Sequence, residues 1–310
     1  MLKRIFLLLL VFLFAFSACA ELEIVCSLFP QYDFTRRIAG ERAHVTKLLP
    51  DGMDSHGYEP SPRDMVKTDM ADLFIYTDDV LEGWVKNLSG GLTNVKLIRC
   101  AEGVDLEKLN NEWENASGHE HEHDHEHAHS YDAHIWLDPT LSMVMCENIL
   151  DALIEADPEG EEIYRANYES LIADLTALDE AFLKLFEENK GATLYFGGKF
   201  AYSHFLRRYA VNYVTAYATC SDEGEPGVRT IVRIISEMND HGAKVLFTDE
   251  MSSGEVARAI ADETNADVLL FHTAHNLSKQ DMDKNLTYFD IMYMNMENIK
   301  LALGISAEAK

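Results

Sequence analysis

The order of apolar patterns along the chain constrains its fold more than any other feature. Short β-rich runs alternate with helical stretches, and they do so twice. "LEIVCSL", "HVTKLLP", "DLFIYT" and "NVKLIRC" read as strands in the first hundred residues, with helical patterns between them such as Tyr32 to Ala39 and Asp79 to Leu88. After residue 190 the alternation returns in "ATLYFG", "YVTAY", "KVLFTDE" and "DVLLFHT". Alternation of this kind predicts an α/β fold with parallel sheets covered on both faces. Between the two sets, "EEIYRANYESLIADLTALDEAFLKLFEENKG" places Tyr164, Tyr168, Leu171, Leu175, Leu178, Phe182 and Leu185 three or four residues apart, with Gly191 as a stop. Such a helix is a rod of ~43 Å. Periodicity alone reads it equally as a spine between two lobes or as an ordinary core helix.

Three hundred and ten residues exceed one typical domain. The division that follows is a leader over 1–20, a first lobe over 21–150, a linker with the long helix over 151–190, and a second lobe over 191–310. The leader begins with Lys3 and Arg4 and continues with an apolar core from Ile5 to Phe16. Twelve residues span only ~18 Å as a helix, short of the ~30 Å hydrocarbon layer of a membrane, so the segment reads as an export signal. Its end fits two processing routes. "FSAC" resembles a lipobox, which would make Cys19 the acylated first residue of a membrane-tethered bacterial protein; Ala18-Cys19-Ala20 also fits plain cleavage after Ala20, which would leave a soluble periplasmic chain. The other cysteines, Cys26, Cys100, Cys146 and Cys220, lack paired C-x-x-C spacing and read as unpaired structural thiols.

A net charge of −27 argues against nucleic-acid binding, which needs clustered Lys and Arg, and suits a cationic ligand. Histidine is the residue that points to one. "GHEHEHDHEHAHSYDAHIWLDP" holds seven of the thirteen histidines. Six of them, His119, His121, His123, His125, His127 and His129, alternate with acidic or small residues in a stretch without apolar period, which reads as an exposed disordered loop. "HEHEH" and "HEHAH" match the H-E-x-x-H zinc-protease pattern only because His and Glu alternate; that motif needs a buried helix, and nothing apolar here would bury one. The run still offers imidazoles to zinc, copper or nickel, at an ordering cost of roughly 1–2 kcal/mol per fixed residue. It is expected to collect or sense metal beside a tighter site built elsewhere.

That site is expected where strands end. In "LLPDGMDSHGYEPSPRDM", His56 lies on a loop leaving a strand, ahead of a helix that Ser61 can cap, with Pro62 in its first turn and Asp64 complementing its dipole. Ligands of open α/β sheets bind at such strand ends. "PDGMDSHGYEPSPRDM" and "DAHIWLDP", with the export signal, the histidine run, "FPQYDFTRRIAG", "ADLFIYTDD" and "ETNADVLLFHTAHN", resemble the metal-binding component of bacterial zinc ABC importers, in the family of solute-binding proteins that carry zinc or manganese. The resemblance covers essentially the whole mature chain. It implies two α/β lobes, each a mostly parallel sheet flanked by helices, joined by a long rigid helix and holding the metal in the cleft between them. It also implies Zn(II) as the bound substrate, the membrane subunits of an ABC permease as partners, no enzymatic activity, and a place outside the cytoplasmic membrane. Carried over by position, His56 and His134 match the first-lobe ligands, and Asp132 could orient an imidazole.

The second lobe departs from that pattern. Many relatives have a histidine where "GGKFAYSHFLRRYAV" has Lys199, whose ammonium has no lone pair. His204 lies ~7.5 Å further along a helix and ~140° round it, a poor substitute. His272 in "DVLLFHTAHNLSKQD" falls where many relatives place an aspartate ligand. The expected set is therefore His56, His134 and His272, with Glu250, His275 or water completing four-coordination. Imidazoles with at most one carboxylate suit Zn(II) better than Mn(II). The alternatives are a manganese-carrying or adhesin-type member of the same family and, more remotely, a zinc-dependent hydrolase, for which the sequence shows no nucleophile constellation.

Overall fold

The computed structural model describes residues 21–88, 90–106, 132–220 and 224–305. The leader with Cys19 and the histidine run lie outside the described residues, as does Glu107 to Tyr131 as a whole.

The first lobe is a four-stranded sheet of β1 (Leu22–Cys26), β2 (Ala43–Lys47), β3 (Leu73–Tyr76) and β4 (Lys96–Arg99). It is interleaved with α1 (Phe29–Ala39), α2 (Pro62–Asp69) and the short α3 (Trp84–Leu88). The strand order is β2-β1-β3-β4 and every registered pair is parallel. β3 is buried at all four positions, as a strand covered on both faces must be. The helix expected over Asp79 to Leu88 is shorter: turns fill Asp79 to Gly83, because Thr77 and Asp78 give their N–H groups to the buried carboxylate of Glu82.

Two helices then run back along the molecule. α4 (Pro139–Ala156) is capped by Asp138, which accepts from the Thr140 N–H at 2.9 Å. α5 (Glu161–Glu188) is the long helix, 28 residues or about 42 Å. Its buried stripe is Tyr164, Leu171, Leu175, Leu178, Phe182, Leu185 and Phe186, the three-and-four spacing of one helical face. That face packs on α4 and α1 in the first lobe, while Phe182 and Phe186 meet Phe205 and Tyr209 of the second.

The second lobe repeats the plan with β5 (Thr193–Phe196), α6 (Ser203–Arg208), β6 (Asn212–Thr215), α7 (Val228–His241), β7 (Val245–Thr248), α8 (Glu255–Thr264) and β8 (Asp267–Leu270), closed by α9 (Lys279–Asp283) and α10 (Tyr288–Ala302). Its order, β6-β5-β7-β8, is that of the first sheet, and its pairs are parallel too. One buried apolar cluster runs from Leu22 through α5 to Ile299 and so belongs to both lobes; a smaller one, around Ile234 and Met238, seats α7 and α8 on the second sheet. No helix of the described residues is long and apolar enough to cross a membrane.

Candidate metal centre

In both sheets the strand order reverses beside the first strand of the lobe, and loops leaving strand ends meet there, the geometry that makes ligand crevices in open α/β sheets. The loop after β2 carries His56 and is fixed by two local devices. Asp54 accepts the His56 N–H at 2.9 Å, and Ser61 and Asp64 close a reciprocal capping box on α2. His134 precedes a 3-10 turn that leads into α4. The loop after β8 carries Phe271 to Leu277 across to the first lobe: the Phe29 N–H donates to the His275 carbonyl at 3.2 Å, and Asn276 donates to the Pro50 and Met53 carbonyls at 2.7 and 2.9 Å.

These loops bring three imidazoles together. The His56 and His134 ring centres are 5.5 Å apart, and His134 and His275 are 6.4 Å apart. Their Nε2 atoms are buried, and none has a hydrogen-bond partner among the described residues. Buried polar atoms are ordinarily paired, so three orphans in one crevice call for a functional explanation. The second nitrogens show why Nε2 is left free. His134 Nδ1 donates to Asp132 Oδ1 at 2.6 Å. His275 Nδ1 donates to the Thr273 hydroxyl, which in turn donates to Glu250 Oε1 at 2.6 Å. Each carboxylate thus takes up Nδ1 of its ring, directly or through Thr273, and leaves Nε2 to the crevice, the usual outer arrangement behind a metal-binding histidine. The other Glu250 oxygen accepts the Thr273 N–H at 2.9 Å, so both oxygens are engaged with Thr273.

Protonation follows the same geometry. Burial, and then the neighbouring His134, push His56 down to about 4. Burial also takes His275 down to about 4, against the pull of Glu250 and with His134 adding to the fall. His134 goes the other way: burial opposes its charge, but Cys220 and Asp132 together outweigh burial and raise it well above the usual imidazole range. The Asp132 carboxyl, despite its burial, is held below the usual carboxylate range by His134. Three rings this close do not share two protons, and the one beside Asp132 keeps its own.

The remaining expected residues lie elsewhere. His272 is fully buried, but its Nδ1 faces the Ala274 N–H at 2.9 Å and Glu250 at 3.3 Å, while Nε2 points to Asp281 at 3.6 Å. Its Nε2 also lacks a hydrogen-bond partner, but it faces the Asp281 carboxylate, whereas the ring contacts join His134 to His56 and His275. His204 Nε2 donates to the Asp132 carbonyl at 2.6 Å, so it buttresses the site from behind. Lys199 sits on the loop after β5 with its Nζ 3.6 Å from Asp54 and its N–H donating to Asp249 at 2.8 Å. That approach requires glycine at 198, where a Cβ would lie 2.5 Å from Asp249 Oδ2.

One residue escaped the sequence reading. His56, His134 and Cys220 each offer a donor atom within 4.8 Å of the others, and Cys220 Sγ lies 3.8 Å from His134 Nδ1. Cys220 carries no spacing signal. The available clue was its position, on a loop leaving the end of β6 at the same edge as the other site loops.

Residues 24–302 match the family model described as zinc-uptake complex component A, periplasmic. The chain is 32% identical over 294 residues to the high-affinity zinc uptake system protein ZnuA of Bacillus subtilis (strain 168), spanning 93% of this chain and 89% of that one. It is 27% identical over 284 residues to the zinc-binding lipoprotein AdcA of Streptococcus pneumoniae serotype 4, of which the match spans 56%. Among solved structures, the metal-dependent lipoprotein YcdH of Bacillus subtilis superposes with a TM-score of 0.76 at 26% identity, over 91% of this chain and 99% of that one. The Zn(II)-bound ZnuA-like domain of Streptococcus pneumoniae AdcA has the same fold, with a TM-score of 0.76 at 23% identity.

Proposed function

Because the chain belongs to the zinc-uptake complex component A family, we propose that it captures Zn(II) outside the cytoplasm between His56 and His134 of the first lobe and His275 of the second, and delivers the ion to the membrane subunits of an ABC importer. It is a solute-binding protein and not an enzyme, and zinc is its cargo. The observation that carries the residue assignment is the set of buried, unpartnered Nε2 atoms on rings whose centres lie 5.5 and 6.4 Å apart at the lobe junction. Imidazole nitrogens favour Zn(II) over Mn(II), which prefers an oxygen-rich shell.

The histidine run from His119 to His129 is assigned an accessory role, holding further ions weakly and passing them on. Cys19 is assigned the lipid attachment that would tether the protein to the membrane; plain cleavage after Ala20 is the outcome that would leave it soluble.

Zinc titration of single variants tests the assignment. His56→Ala, His134→Ala and His275→Ala should each lose tight retention of one ion, whereas His272→Ala should keep it. Deleting Gly118 to Ser130 should lower the number of ions bound and leave the tight one. Tight binding that survives both His56→Ala and His134→Ala, or that vanishes with the deletion, contradicts the reading.

A further inference from the structure

Three imidazoles leave a four-coordinate zinc one donor short. On the β5 side the nearest candidate is Lys199, a cation engaged with Asp54. On the β6 side the loop delivers Cys220. We propose that Cys220 binds the cargo ion as a thiolate, so that the centre is built from His56, His134, His275 and one sulfur. This rests on reading the crevice as the zinc-capture site and adds a donor that changes its chemistry.

The geometry supports the sulfur in two independent ways. First, the donor atoms of His56, His134 and Cys220 already lie within 4.8 Å of one another. Zn–N bonds of 2.0–2.1 Å and a Zn–S bond of 2.3 Å in a tetrahedron set donors about 3.5 Å apart. Closing the difference takes about 1 Å, the scale of a side-chain adjustment in a loop. Second, the orphaned Nε2 atoms of His134 and His275, both on residues at least nine-tenths buried, mark a place prepared for a ligand, and the sulfur reaches the same His134 ring, 3.8 Å from its Nδ1.

The other described cysteines make the contrast. Cys26, Cys100 and Cys146 are fully buried among apolar side chains, and burial pushes their thiols upward, Cys26 to about 12. Cys220 alone among them is partly exposed and faces a histidine. As the S–Zn bond forms, the thiol proton passes to water, because only the thiolate is a ligand. A sulfur donor strengthens the preference for Zn(II) over Mn(II) and makes Cu(I) the natural competitor.

Co(II) substitution of the full chain reads this directly. The wild type should show an intense near-ultraviolet sulfur-to-cobalt charge-transfer band that added Zn(II) removes. Cobalt on the histidine run cannot produce it. Cys220→Ser should lose that band, retain the weaker ligand-field absorption, and bind Zn(II) less tightly by at least the ~10- to 100-fold that outer-shell partners alone are worth. Stoichiometric Zn(II) should also slow iodoacetamide labelling of the Cys220 peptide in the wild type. A wild type that binds Co(II) tightly without the band, or a Cys220→Ser protein that binds Zn(II) as tightly as the wild type, overturns the thiolate and leaves the imidazole site standing. A wild type that takes up neither metal in the crevice overturns both.

Discussion

At the residue scale, the site depends on which nitrogen of each ring is occupied. Asp132 and the Thr273–Glu250 pair occupy the Nδ1 atoms of His134 and His275, leaving Nε2 to the crevice. A different prediction follows for free imidazoles at pH 5, where an ordinary ring near 6.5 is mostly protonated. His56 and His275, both lowered to about 4, should remain neutral there. NMR titration of the metal-free protein checks it: two imidazoles should stay unprotonated at pH 5, and protonation of both at that pH would contradict the burial account. Acid should therefore weaken capture first through His134, which holds a proton the ion must displace, and only later through the other two. That His56, His134 and Asp132 gather in one place was legible in the sequence, because short motifs surround them. Which of His272 and His275 lies nearer to them was not. The two sit three residues apart on one loop, and only the fold shows that the first turns inward to Asp281 and the second across to the first lobe.

At the scale of elements, the alternating patterns made both sheets legible, since covered parallel strands must be apolar at nearly every position. The spine was legible as a helix but not as a spine, because periodicity does not say what a stripe packs against. The turn before α3 was hidden for a related reason: its backbone is held by one side chain. Glu82 is 1% exposed and accepts from the Thr77 and Asp78 N–H groups and from the Ser27 hydroxyl, tying the ends of β1 and β3 together. Burial outweighs those donors and raises its carboxyl from 4.5 to about 7. The folded form thus binds the proton more tightly than the unfolded one. The stabilisation is full below pH ~4.5 and is lost as pH rises through 7, on the order of 3 kcal/mol. Glu82→Gln should flatten that dependence, because its amide is never charged. Urea unfolding at pH 5 and pH 8 tests this: the wild type should be markedly less stable at pH 8, the variant much less affected. An unchanged slope in the variant would assign the pH dependence to other groups.

At the scale of the molecule, the two lobes do not behave as separate bodies. They share one apolar core, and the Trp136 indole N–H donates to the Thr273 carbonyl at 2.8 Å, the Tyr288 N–H to Asp33 at 3.1 Å, and the Gly52 N–H to the Leu277 carbonyl at 2.8 Å. Opening the crevice by a hinge would break these bonds and expose buried apolar surface, at ~25 cal/mol for each Å². Loading and release should therefore be local, through the loops that carry His56 and Cys220. Small-angle scattering of the metal-free and zinc-loaded protein should superimpose; a clear contraction on zinc binding would show that the lobes do close. The acidic surface, at a net −27, draws cations toward the molecule without selecting among them. Selection belongs to the donors at the junction. The most direct test of that claim is anomalous diffraction at the zinc edge from crystals of the zinc-loaded protein. One strong peak should lie within bonding distance of the Nε2 atoms of His56, His134 and His275; a peak found only on the histidine run, or bounded by donors from one lobe alone, would contradict it.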